Sequence, residues 1–117
     1  MTYVDGFIAA VPKANKDKYI AHSRAVAELC KQWGAIRTVE NWGDDVPRGE
    51  VNDFYGAVMA KEDEVVVFSW IEYPDKATRD AVMKKMMEDP AMLSVEDMPF
   101  DGKRMIFGGF TNLFVVE

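Results

Sequence analysis

Three observations predict an α+β fold, the ferredoxin-like βαββαβ order, with a four-stranded antiparallel sheet and two long helices on one face. Four stretches rich in β-branched and aromatic residues are bounded by turn signals. Two long stretches between them carry apolar residues at three- and four-residue steps. The stretch Glu64–Tyr73 is apolar on both sides, with Val66, Phe68 and Trp70 on one and Val65, Val67, Ile71 and Tyr73 on the other. An edge strand would alternate apolar with polar, so this one is placed at the centre. At 117 residues the chain is read as a single domain, 1–117.

Tyr3 to Val11 is the first strand and Pro12 ends it. Asn15 is placed as N-cap of a helix from Lys16 to Trp33, with Gly34 as its stop. Tyr19, His22, Val26, Leu29 or Cys30, and Trp33 form that helix's buried stripe. Ala35 to Trp42 is the second strand, and Gly43 to Gly49 is a loop by its turn residues. Asp53 caps a short helix from Phe54 to Ala60, ahead of the central strand. Asp75 caps the second long helix, Lys76 to about Glu88, and Pro90 closes it. Met83, Met86 and Met87 read as packing on that helix. A last strand runs from Arg104 to Val116, where Gly108–Gly109 signals a bulge or a close backbone approach.

Two helices cover one face of such a sheet, yet the central strand is apolar on both. Each large apolar side chain left wet forfeits roughly 1.5–3 kcal/mol. The second face therefore calls for a partner, and a homodimer through the sheet faces supplies one with two-fold symmetry.

The apolar fraction is 49% and charged residues make up 29%, which is the balance of a soluble globular protein. No run approaches the roughly 20 apolar residues of a membrane span, and the start lacks a signal-peptide pattern. A cytoplasmic location is expected, in keeping with a single cysteine. The net charge of −6 argues against nucleic acid and anionic membranes as partners.

The segments Tyr3–Val4–Asp5–Gly6–Phe7, Glu40–Asn41–Trp42–Gly43–Asp44–Asp45–Val46–Pro47, Val66–Val67–Phe68–Ser69–Trp70–Ile71–Glu72–Tyr73–Pro74 and Met98–Pro99–Phe100–Asp101–Gly102–Lys103–Arg104 (with the run on to Phe110) resemble those of a family called "domain of unknown function 1428". The resemblance spans nearly the whole chain. It implies the dimeric α/β-barrel superfamily, in which two ferredoxin-like subunits close a barrel through their sheets. That superfamily includes small monooxygenases, haem-binding proteins and ligand-sensing domains. Where the family usually has Cys–Trp, this chain has Asn41–Trp42, so no thiol role carries over there.

His22, the only histidine, has two readings: a hydrogen-bonded core residue, or a general base or ligand donor at the mouth of a helix–sheet pocket. Trp42 and Trp70 are candidates for lining a small-molecule pocket, against the simpler reading of core or interface. Lys103 and Arg104 could reach an anionic ligand, or could merely complete a polar turn. Asp5, Glu40 and Glu72 are acids inside strands, either wet at a rim or paired, with Arg37 and Arg104 as available cations. Asp44 and Asp45 fit turn chemistry without the further ligands of a cation loop. One histidine and one cysteine support no zinc or haem motif, so neither a metal nor a cofactor is expected.

The function these residues suggest is small-molecule binding in a sheet–helix pocket of a homodimer. An alternative makes that pocket a cofactor-independent monooxygenase-like site. A third reading treats Phe68 and Trp70 as a stacking platform for single-stranded nucleic acid. Its basic–aromatic signature would belong on the third strand, whereas here Arg104 to Phe110 lies on the last.

Overall fold

A computed structural model describes residues 2–89 and 97–117. The elements are β1 (Tyr3–Pro12), a 3-10 turn (Lys13–Asn15), α1 (Lys16–Trp33), β2 (Arg37–Trp42), α2 (Phe54–Ala57), β3 (Glu64–Tyr73), α3 (Lys76–Glu88) and β4 (Ile106–Thr111). The strands pair antiparallel in the order β2-β3-β1-β4, which is the ferredoxin-like topology, with β3 and β1 in the middle. Among the described residues no helix is long and apolar enough to cross a membrane.

Aspartates start the helices where the sequence places them. Asp53 accepts from Gly56 N and Asp75 from Thr78 N, both at 2.7 Å. Asn15 departs from its expected role. Its side chain makes no cap bond and instead donates to Pro99 O at 3.0 Å, tying the start of α1 to the segment before β4. The short helix stops before Ala60. Met59 turns to φ 51°, with Met59 N donating to Gly56 O and Ala60 N to Tyr55 O, a Schellman closure with methionine in the left-handed position. Pro90, expected to end α3, lies outside the described residues.

Both flanking strands are shorter than expected. Ala35 N is drawn back to Cys30 O, so β2 begins at Arg37. Arg104 is held by side-chain ion pairs rather than a ladder, so β4 begins at Ile106, and the chain leaves the ladder after Thr111. No bulge forms at the paired glycines, because Gly6 faces Gly108 and Asp5 faces Gly109 in unbroken register. The close approach is real. A Cβ on Gly109 would collide with the Tyr3 hydroxyl and come within 2.8 Å of Arg79.

The helix-side face of β3 is sealed. Val67, Ser69, Ile71 and Tyr73 are buried there, Ile71 and Tyr73 against Cys30 and Val82 from α1 and α3. The outer face differs from the expectation that a second copy must cover all of it. Val66 is only 3% exposed, because Val58 and Tyr55 of the α2 region fold over it and Ala10. Further along the same face Phe68 is 49%, Ile106 44% and Phe110 60% exposed. Met87, expected on the apolar side of α3, is exposed.

Candidate functional site

Strand register sets which side chains can meet. On the helix side, one row across the sheet reads Glu40, Ser69, Phe7, Phe107, and the next reads Thr38, Ile71, Asp5, Gly109. α1 lies over these rows and brings Tyr19, His22 and Val26 to them. Between sheet and helices this leaves a cavity of about 220 Å³. Its walls are mostly apolar, among them Phe7, Ile71, Met83, Phe100 and Met105. Asp5, His22 and Glu40 are its titratable groups besides Tyr19.

Glu40 is held by two hydroxyls. Tyr19 Oη and Ser69 Oγ each donate to Glu40 Oε2 at 2.6 Å, the length of charge-assisted O–H···O⁻ bonds. Burial, and then the neighbouring Glu40 charge, push the Tyr19 phenol far above its usual pKa, so it stays a donor. Asp5 is claimed by Arg79, whose Nε and Nη2 lie 3.0 Å from Oδ1. The Tyr73 hydroxyl is buried with no hydrogen-bond partner among the described residues. Its ionisation is pushed up by burial, and next by the Asp5 charge.

His22 is half-buried, with its ring edge-on to Phe100 at 6.4 Å between centroids. Burial lowers its pKa, which keeps the imidazole neutral near pH 7. Among the described residues its ring nitrogens make no side-chain hydrogen bond. Cys30 is buried in the core, and its thiol is pushed up to about 11 by burial and then by Asp5, which makes it unreactive.

The other candidates scatter. Trp42 shares the helix side but lines an adjoining recess of about 360 Å³ between α1 and β2, which has Tyr19, Ser23 and Glu40 in common with the cavity, and the Lys16 ammonium lies 5.3 Å from its ring centroid. Trp70 stands on the outer face beside Phe68 at 5.8 Å, with Nε1 donating to Glu72 Oε2. No cavity can therefore lie beside both His22 and Trp70. Lys103 is exposed in its turn. Arg104 binds Glu64 through two bonds of 2.7 Å and also reaches Asp101 Oδ2 and Met59 O. Four of its five N–H donors are thus committed within the chain, and neither Lys103 nor Arg104 lines the helix-side cavity.

Glu72 pairs with Arg37 at 2.6 Å, as its position suggested, whereas Asp5 takes Arg79 and Arg104 takes Glu64. Asp44 and Asp45 are exposed, and no three metal-ligating side chains converge among the described residues. Sequence reasoning passed over Ser69. A lone hydroxyl in the buried row between Val67 and Ile71 was the available signal that a polar partner faces it.

On the outer face the rows read Asn41, Phe68, Ile8, Ile106, then Val39, Trp70, Gly6, Gly108. The two glycines leave a trough walled by Trp70, Ile106 and Phe110, an open space of about 850 Å³ that Val115 and Glu117 also border. Leu113, Phe114, Val115 and Val116 are all exposed.

A family model described as "Protein of unknown function (DUF1428)" matches residues 2–102. Proteins named "Uncharacterized protein YbaA" from Escherichia coli (strain K12) and Shigella flexneri are 57% identical over 114 residues, covering 97% of this chain and 97% of each relative. Among solved structures, a putative antibiotic biosynthesis monooxygenase from Nitrosomonas europaea superposes with a TM-score of 0.56 at 14% identity, covering 97% of this chain and 91% of that one. A dimeric ferredoxin-like protein from an uncultured marine organism gives 0.56 at 14% identity, with 99% and 97% covered. At these identities the structural likenesses establish the fold.

Proposed function

We propose a function from one premise: the chain belongs to the family described as "Protein of unknown function (DUF1428)". The protein is a cytoplasmic homodimer that holds a small molecule in the cavity between its sheet and its helices. The cavity carries the binding reading. It is an apolar-walled space with a few converging polar groups, the usual character of a ligand site, and at about 220 Å³ it suits a ligand smaller than a drug-sized one.

The dimer forms through the open part of the outer face. Phe68, Trp70, Ile106 and Phe110 with the exposed tail form an apolar surface of the kind that marks an interaction site. The charged side chains bordering the trough are Arg37, already paired with Glu72, and Glu117. A second copy suits that surface, whereas a phosphate backbone would find no unpaired cationic side chain along it among the described residues. The neighbour titled a dimeric ferredoxin-like protein is consistent with this arrangement. The monooxygenase alternative rests on the family resemblance and on a neighbour's title, the latter at an identity that speaks only of fold.

Because His22 is the single histidine, its imidazole proton lines report on the cavity without assignment work. In a screen of compact aromatic and aliphatic compounds, ligands that raise the melting temperature should also shift those lines. Hits that leave the lines unmoved, or no hits at all, would contradict a working cavity at this place.

A further inference from the structure

The polar groups around the helix-side cavity are engaged with one another. Tyr19 Oη and Ser69 Oγ both donate to Glu40 Oε2, and Ser23 Oγ donates to Tyr19 O at 2.8 Å. Asp5 is taken by Arg79, whose Nη2 lies 3.0 Å from Oδ1. Glu40 also borders the adjoining recess, where Lys16 and Arg24 stand. His22 is neutral near pH 7 and sets its ring edge-on to Phe100. The surface that the wall presents to the cavity is accordingly almost wholly apolar.

Aromatic rings and thioethers make up much of that surface. Phe7, Phe100 and Phe107 supply the rings, and Met83 and Met105 the sulfurs. Phe107 stands on the helix side of the edge strand β4 and is still 67% exposed, so apolar surface beside the cavity is left in water. Covering it favours an apolar guest, and the thioethers favour an aromatic one. An apolar cavity of about 150 Å³ holds benzene. At about 220 Å³ this one suits a ring with a short alkyl chain. A charge or a hydroxyl carried in would lose its water and find no partner in exchange.

We propose that the helix-side cavity takes an uncharged aromatic hydrocarbon body, one ring with a short alkyl group, held by shape and dispersion without a hydrogen bond to the wall. This rests on the cavity being a ligand site and names the chemical class that it selects.

The test is titration of the full chain at neutral pH with ethylbenzene, benzyl alcohol and benzylammonium chloride, which share one shape and differ in a terminal methyl, hydroxyl or ammonium. Binding is followed at the imidazole proton lines of His22, which borders this cavity and not the outer trough. Ethylbenzene should shift those lines and bind at least about tenfold more tightly than benzyl alcohol, while benzylammonium leaves them unmoved. Val26→Trp, which fills the cavity from α1, should weaken ethylbenzene at least about tenfold. An ethylbenzene advantage below about tenfold, or lines moved by benzylammonium, overturns the proposal while the cavity remains a ligand site. Undiminished ethylbenzene binding by a folded Val26→Trp chain also overturns it. The order of the probes on the wild type decides the matter even if that variant fails to fold. If no probe moves the lines, the cavity reading fails and this inference with it.

Discussion

The two ends of the outer sheet face start from similar residues and finish differently. At one end Val66 and Ala10 vanish under Val58 and Tyr55, and the cover is anchored by a clamp in which Arg104 grips Glu64 and also holds Met59 O. At the other end Phe68, Ile106 and Phe110 are about half exposed, and the Phe54 ring at the start of α2 meets Phe68 edge-on at 5.9 Å between centroids without covering it. The chain therefore spends a helix, a Schellman turn and a buried ion pair on closing one end. The open end reads as a surface kept for another molecule, and the contrast is open to attack from both sides.

Removing the clamp should have the largest effect. Glu64→Ala leaves a mostly buried arginine with Asp101 as its remaining counter-charge, which costs about 2–3 kcal/mol by the behaviour of buried charged hydrogen bonds and ion pairs. Chemical denaturation should report that loss at any protein concentration, because the clamp acts within one chain. The same pair sets an acid limit. The Arg104 guanidinium holds Glu64 below the usual carboxylate range. Its stabilisation is full above the unfolded value of about pH 4.3 and is lost as pH falls through the lower folded value. Glu64→Gln should flatten that acid limb of the stability curve.

Phe68→Glu should act on the open end in a different way. By two-fold symmetry it introduces two charges into one apolar interface, so association should weaken by at least about 100-fold, roughly 2.7 kcal/mol. The fold should survive, because Phe68 is about half exposed already. Sedimentation and circular dichroism together distinguish the two effects. A variant that unfolds instead would show that Phe68 is needed by its own subunit.

The smallest effect tests the sealed helix side. Tyr73 buries a hydroxyl with no hydrogen bond, so Tyr73→Phe should leave stability within about 0.5 kcal/mol or raise it. A loss above about 1 kcal/mol would mean that the Asp5 carboxylate bonds the phenol after all.

Much of this arrangement was legible in the chain. Period-two runs in Tyr3–Val11 and Glu64–Tyr73, the stripe of α1 and the caps Asp53 and Asp75 are local signals, and local physics decides them. Parity alone also places Trp42 and Trp70 on definite faces of their own strands. Whether those faces coincide depends on strand register, and the register puts the two tryptophans on opposite sides. Ion pairs lie further from sequence reach. Asp5 meets Arg79 and Glu64 meets Arg104 across 74 and 40 residues, and nothing local selects those partners over Arg37. The cover over Val66 was hidden for the same reason, since a four-residue helix carries little pattern of its own. Glu40 was legible as an acid inside a strand. Its two hydroxyl partners were not, because one sits on a helix and the other in a buried row read as wholly apolar.

Sedimentation equilibrium of the wild-type chain at low micromolar concentration tests the central claim most directly. A single species of twice the chain mass, reduced to one chain mass by Phe68→Glu, is the predicted result. A stable wild-type monomer at those concentrations, folded and with its Phe68–Phe110 surface in water, would contradict it.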